Sequence, residues 1–97
     1  MATVDFTERR IAALEGFVVR FHYQGPARTK GRNVRGDRQD VPSYPFVRAA
    51  RSTMTVAEWK EARFNTAYPG FDVEVYDDHE RPVHGRTKLS TVRATYR

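Results

Sequence analysis

The sequence contains no cysteine, so neither a disulfide framework nor thiolate chemistry is open to it, and a reducing cytoplasm is the expected setting. It also lacks any apolar run approaching the roughly 18 residues that a membrane span needs. Its opening residues, Met1-Ala2-Thr3-Val4-Asp5, do not have the basic-then-apolar order of a secretory leader. A soluble chain that does not engage a membrane is expected. No internal repeat is present, and nothing in the sequence calls for a cofactor. Acidic residues are the scarcer sign: 12 Asp and Glu stand against 17 Lys and Arg, for a formal net charge of +5 and a sequence pI near 10.0. That balance favours anionic partners, nucleic acid ahead of an acidic protein surface or anionic lipid.

The 97 residues fit one domain, with 39% hydrophobic and 12% aromatic content to fill a core, so disorder throughout is not expected. The positive charge is unevenly placed. Between Pro26 and Arg38, within the stretch 25–45, stand Arg28, Lys30, Arg32, Arg35 and Arg38 against Asp37 alone, which puts four of the five net charges between those two residues. The apolar residues of this stretch, Ala27, Val34, Val41 and Tyr44, fit neither a helical nor a strand period, so it reads as a loop.

Periodicity organises the rest. A helix is expected over 6–15, capped by Asp5 or Thr7, carrying Ile11 and Leu14 and closed by Gly16. Phe17, Val19, Phe21 and Tyr23 alternate with polar residues in a strand over 17–24. The stretch 46–54 is rich enough in Phe, Val and Thr to be extended, with Arg48 and Arg51 on opposite faces. Thr55-Val56-Ala57-Glu58 is a capping box that opens a helix with Val56, Trp59, Phe64 and Ala67 inward. Pro69-Gly70 stops that helix, and Phe71, Val73 and Val75 form the inner side of a strand over 71–76. Residues 77–82 have turn composition, and the end is ambiguous, leaning to a helix on Leu89, Val92 and Tyr96. The expected fold is α+β: one small two-layer domain whose three- to four-stranded, mainly antiparallel sheet carries helices on one face. If strands 17–24 and 46–54 pair, the basic loop 25–45 becomes a long hairpin arm between them.

The arm has the chemistry of phosphate contact. Arginine and lysine supply charge and forked hydrogen bonds, Gly31 and Gly36 permit close backbone approach, and Tyr44 offers a ring for base stacking. Arg28, Lys30, Arg32, Arg35 and Arg38, supported by Arg48 and Arg51 and joined by Tyr44, are the expected binding residues for DNA or RNA. A core role for the Tyr44 ring is the simpler alternative. Arg20 is expected to pair with Glu74 across the sheet. Asp77, Asp78, His79, Glu80 and His84 carry enough ligand atoms for a divalent ion but match no ligand spacing, and a plain turn is the expectation. The three histidines with several acids formally permit metal-independent RNA cleavage, but nothing in the sequence gathers them.

The reading that follows is a small non-enzymatic nucleic-acid-binding protein. Its rival is a protein-interaction module, such as a small phage or mobile-element inhibitor gripping an acidic surface of a larger nucleic-acid enzyme. A small ribonuclease stands third.

Overall fold

The computed structural model describes residues 2–26 and 30–96. The first helix, α1 (Val4–Glu15), begins two residues earlier than its apolar period suggests, because Thr3 is its cap: the Thr3 hydroxyl accepts from the Phe6 N–H at 3.1 Å. Thr7 is instead buried one turn in, donating its hydroxyl to Thr3 O. Gly16 closes the helix at φ 85°, a left-handed conformation that glycine adopts without a Cβ penalty.

Strand β1 (Val18–Gln24) follows and is central, flanked by β2 (Lys30–Asn33) and β3 (Phe71–Tyr76) in the order β2-β1-β3, both pairings antiparallel. β3 runs the length of β1 from Val18↔Tyr76 to Tyr23↔Phe71, while β2 pairs only at His22↔Asn33 and Gln24↔Lys30. β2 has no apolar side chain and therefore no period-two signal. It forms because its backbone completes the ladder, and Gly31 permits this: a Cβ there would sit 2.7 Å from Tyr23 O. The expected strand over 46–54 is absent. Both edges of β1 are already occupied, and this segment crosses the helices instead.

The second helix, α2 (56–67), starts at the Thr55–Glu58 capping box, with both reciprocal hydrogen bonds present. It opens as α-helix over Val56–Trp59, widens into a π-helical stretch over Lys60–Phe64 and returns to α over Asn65–Ala67. In a regular α-helix, residues five apart point about 140° away from each other. The wider turn brings Trp59 and Phe64 back to one side, both fully buried with ring centroids 6.2 Å apart. From the sheet, Phe17 meets Trp59 edge-on at 5.1 Å and Phe21 meets Phe64 and Tyr68 at 5.0 Å each. Val19, Val73 and Val75 fill the same core. The ambiguous C-terminal segment resolves as a helix, α3 (Leu89–Ala94), burying Leu89 and Val92. Tyr96 lies beyond it, and its hydroxyl bridges Val18 N–H and Tyr76 O at the end of the β1–β3 ladder.

The long basic hairpin arm does not form. The first N–H groups of a helix lack intrahelical partners, and here loop carbonyls accept from them. Arg38 O and Gly36 O accept from Val4 and Asp5 at 2.9 Å each. Thr87 O and Gly85 O serve Val56 and Ala57 at 2.8 and 2.9 Å, and Met54 O and Ser52 O serve Leu89 and Ser90 at 2.8 and 3.1 Å. The stretch after β2 is thus pinned to the start of α1, and its scattered apolar residues Val34, Val41 and Tyr44 are core anchors. Their lack of period reflects irregular backbone, not absence of burial. The radius of gyration of 12.5 Å is that of a close-packed chain of this length, about 12.5 Å.

Candidate anion-binding surface

The folding-down of the basic stretch changes which cations are available. Lys30 pairs with Glu74 at 3.6 Å, and Arg35 pairs with Asp37 at 2.9 Å. Arg38 makes a two-pronged contact with Asp40, donates to the Tyr23 hydroxyl at 3.1 Å and lies 5.0 Å from the Phe71 ring centre. The hydrogen bonds from Asp40 and Tyr23 raise its pKa further, and Asp40 is held below the ordinary carboxylate range by the same contact. Of the expected arm residues, Arg32 is exposed with no partner among the described residues, and Arg28 lies outside them. Arg20 does sit opposite Glu74 in the β1–β3 register, but its ion pair goes to Glu8 at 3.8 Å.

Tyr44 is not available to stack on bases. It is buried, and its hydroxyl donates to Glu15 at 2.5 Å. That carboxylate is the polar centre of the molecule. Glu15 is 1% exposed and accepts from Ala50 N at 2.8 Å, from Arg63 at 2.8 Å and from Arg93 at 3.3 Å, while its main-chain carbonyl accepts from Arg93 at 2.6 Å. Burial pushes its carboxyl up, but the hydrogen bonds from Tyr44 and Ala50 and the charge of Arg63 outweigh it and hold the group below its ordinary value. One carboxylate therefore ties α1 to the 44–50 segment, α2 and α3.

Arg63 and Arg93 bind it directly, and further arginines adjoin them along the chain. Arg48 presents its carbonyl to Arg63 at 2.6 Å, and Arg63 stacks 4.3 Å from the centre of Phe46. Arg93 reaches the hydroxyl of Ser52, the residue after Arg51, at 3.0 Å. Phe46 in turn contacts Tyr44 at 5.1 Å. Tyr44, with Ser43, faces Phe6, Thr7 and Arg10 of α1 across a cleft of about 160 Å³. Arg10, Arg48 and Arg51 are exposed and make no ion pair among the described residues. Glu15 itself is sealed from solvent.

The other polar clusters are separate. Asp77 accepts from the N–H groups of His79 and Arg81 at 2.9 and 3.0 Å, which lowers its pKa and makes it a turn former. Among the described residues, no three His, Asp or Glu side chains are grouped to hold a metal ion, and no helix is long and apolar enough to cross a membrane. His22 lies on β1 with Nδ1 at 3.1 Å from Gly31 O, His84 accepts from Arg86 N–H in a turn, and His79 sits beside Asp78 in another. They are not brought together. A larger depression of about 640 Å³ between α1 and β1 is lined by Asp5, Glu8, Arg9, Arg20 and Asn33. There Glu8 accepts from the Phe21 N–H at 2.7 Å, and burial pushes its carboxyl up.

Sequence reasoning missed Glu15, Arg63, Arg93 and Arg10. A signal for Glu15 was present: it falls four residues after Ile11, on the inner stripe of α1 with Val4, Glu8 and Ile11. A carboxylate on a buried stripe requires buried cations nearby. Comparison with protein-family models, with curated proteins and with solved structures finds no match to this chain.

Proposed function

We propose that this chain is a small non-enzymatic nucleic-acid-binding protein that engages phosphates through Arg10, Arg48 and Arg51, with Arg63 and Arg93. The observation that carries the reading is uncompensated charge: Arg10, Arg48 and Arg51 are exposed and make no ion pair among the described residues, while Arg63 and Arg93 share one buried carboxylate. Exposed guanidinium groups without carboxylate partners are available for forked contacts to phosphate oxygens. Arg35 and Arg38, in contrast, already hold Asp37 and Asp40. The binding centre of this reading therefore moves from the 28–38 stretch to the 46–54 segment and the exposed flank of α1.

The test is binding of labelled DNA and RNA over a range of salt concentrations, with Arg10, Arg48 and Arg51 replaced by glutamine. The folded protein should tolerate these exchanges, since exposed charges contribute little to stability. The log–log salt slope should fall by roughly 0.9 per lost contact on duplex DNA, or about 0.7 on a single strand. Arg35→Gln with Arg38→Gln should change it much less. Absence of affinity for any DNA or RNA at low salt would overturn the reading.

One observation favours a second reading. Val47 is 81% exposed and sits beside Arg48, an apolar tip next to a cation that suits docking to an acidic protein surface with a shallow apolar pocket. Tight binding to one protein with no nucleic-acid affinity would select it.

A further inference from the structure

We infer that the nucleic acid is single-stranded, with an unstacked base lying on Phe6 and the backbone on either side held by Arg10 and by the arginines of the 46–54 segment. This rests on the nucleic-acid reading above and adds the strandedness. Phe6 is 57% exposed, although it is a large aromatic residue in the first turn of an otherwise well-anchored helix. Arg10 follows it by one helical turn and so shares its face. Both border the cleft of about 160 Å³ whose opposite wall is Ser43 and Tyr44. The Ser43 side chain is exposed and has no partner among the described residues, which leaves its hydroxyl available to a base edge.

An exposed ring gains from stacking only when it meets an exposed base face, and in a duplex those faces are covered by neighbouring base pairs. Phe6 can therefore contribute to single-strand binding and hardly at all to duplex binding. Nor is α1 suited to a duplex groove. Its exposed Asp5 lines the depression on the other flank, and a duplex groove, walled by phosphates on both sides, would bring phosphates against that flank as well. The combination of a ring, a neighbouring cation and a cation-lined continuation is the arrangement that tracks a single strand without reading its sequence.

The test compares fluorescence anisotropy of a labelled 20-nucleotide oligo-dT, the matching oligo-U and a 20-base-pair duplex, using the full chain and Phe6→Ala. Single-strand affinity should drop roughly tenfold in the variant, duplex affinity should change less than twofold, and Phe6→Trp should bind at least as well as the parent. Because the ring is mostly in solvent, Phe6→Ala should melt with the parent protein. Phe6→Leu, which keeps apolar bulk without a flat π face, should show the same loss and guards against a folding defect. Unchanged single-strand affinity in Phe6→Ala, or tighter binding of the duplex by the parent, overturns the single-strand inference while leaving the nucleic-acid reading intact. Failure to bind any of the three probes overturns both.

Discussion

Replacing Glu15 with glutamine should destabilise this protein more than any other change of a single oxygen atom. The side chain is fully buried, whereas those of Arg63 and Arg93 retain 17% and 19% exposure. One carboxylate oxygen accepts from Tyr44 and Arg63, and the other accepts from Ala50 N and Arg93. An amide oxygen can keep one of these pairs. Its NH₂ group must then face the other, and only the Tyr44 hydroxyl can turn to accept. Breaking a buried ion pair from one side costs roughly 3–5 kcal/mol. Since both guanidinium groups keep a path to water, the lower part of that range, about 3–4 kcal/mol, is the expected loss. For a domain of this size that corresponds to a fall in Tm on the order of 12–30 °C, a large share of the roughly 5–15 kcal/mol that holds a typical domain folded.

Urea denaturation followed by the fluorescence of Trp59, the single tryptophan and fully buried, measures this directly. The pH profile provides an internal check. Because the folded carboxyl of Glu15 lies below its ordinary 4.5, its contribution is complete above that value and is lost as pH falls through the folded pKa. Glu15→Gln should lack that segment of acid sensitivity. A variant within about 1 kcal/mol of the parent at pH 7 would refute the reasoning, because the carboxylate would then do no more than offset its own desolvation.

Glu8 should behave in the opposite sense. Its folded carboxyl is raised above 4.5, chiefly by burial, so the folded state holds the proton more tightly and stability falls as pH rises from about 4.5 through the folded pKa. Glu8→Gln keeps an acceptor for the Phe21 N–H, so it should flatten that fall and match or exceed the parent's urea midpoint at pH 7; a loss as large as that of Glu15→Gln would show that the charge itself is needed. Trp59→Ala should cost roughly 3–5 kcal/mol through the cavity it leaves, read by thermal circular dichroism. Unchanged melting would show that the indole is not a core anchor. Tyr44→Phe removes one donor from Glu15 while keeping the ring, and should cost about 1–2 kcal/mol in the same thermal melt; a stability equal to the parent's would mean that water replaces the hydroxyl.

Those parts of the fold whose side chains alternate or repeat were legible in the sequence. The inward residues Phe17, Val19 and Phe21, the Thr55–Glu58 box, the burial of Trp59 and the β3 strand are each determined by a local pattern, and the structure shows all of them. Three features were not legible for physical reasons. β2 forms by backbone pairing to β1, which leaves no mark on side-chain order. The 46–54 segment has strand-like composition, but β2 and β3 already flank β1, and its backbone groups at Arg48, Ala50, Ser52 and Met54 are bonded to helix residues instead. The π-helical stretch shifts Phe64 onto the side of Trp59, so a wheel drawn at α-helical spacing assigns its inner face only approximately.

The charged residues call for a different kind of reading, one that concerns how charge is counted. A run of basic residues marks a binding surface only if its charges remain available after folding, and local acids decide that. Asp40 lies just beyond the counted run, and with Asp37 it engages Arg38 and Arg35; Glu74, distant in sequence, engages Lys30. At Glu15 the reverse happens. Glu15 takes two arginines, yet only one of the two charges can be cancelled, and the carboxylate lies out of reach of any ligand. Among the described residues Arg10, Arg48 and Arg51 make no ion pair. Of the excess of five charges, one therefore lies with Arg63 and Arg93, whose shared carboxylate is buried.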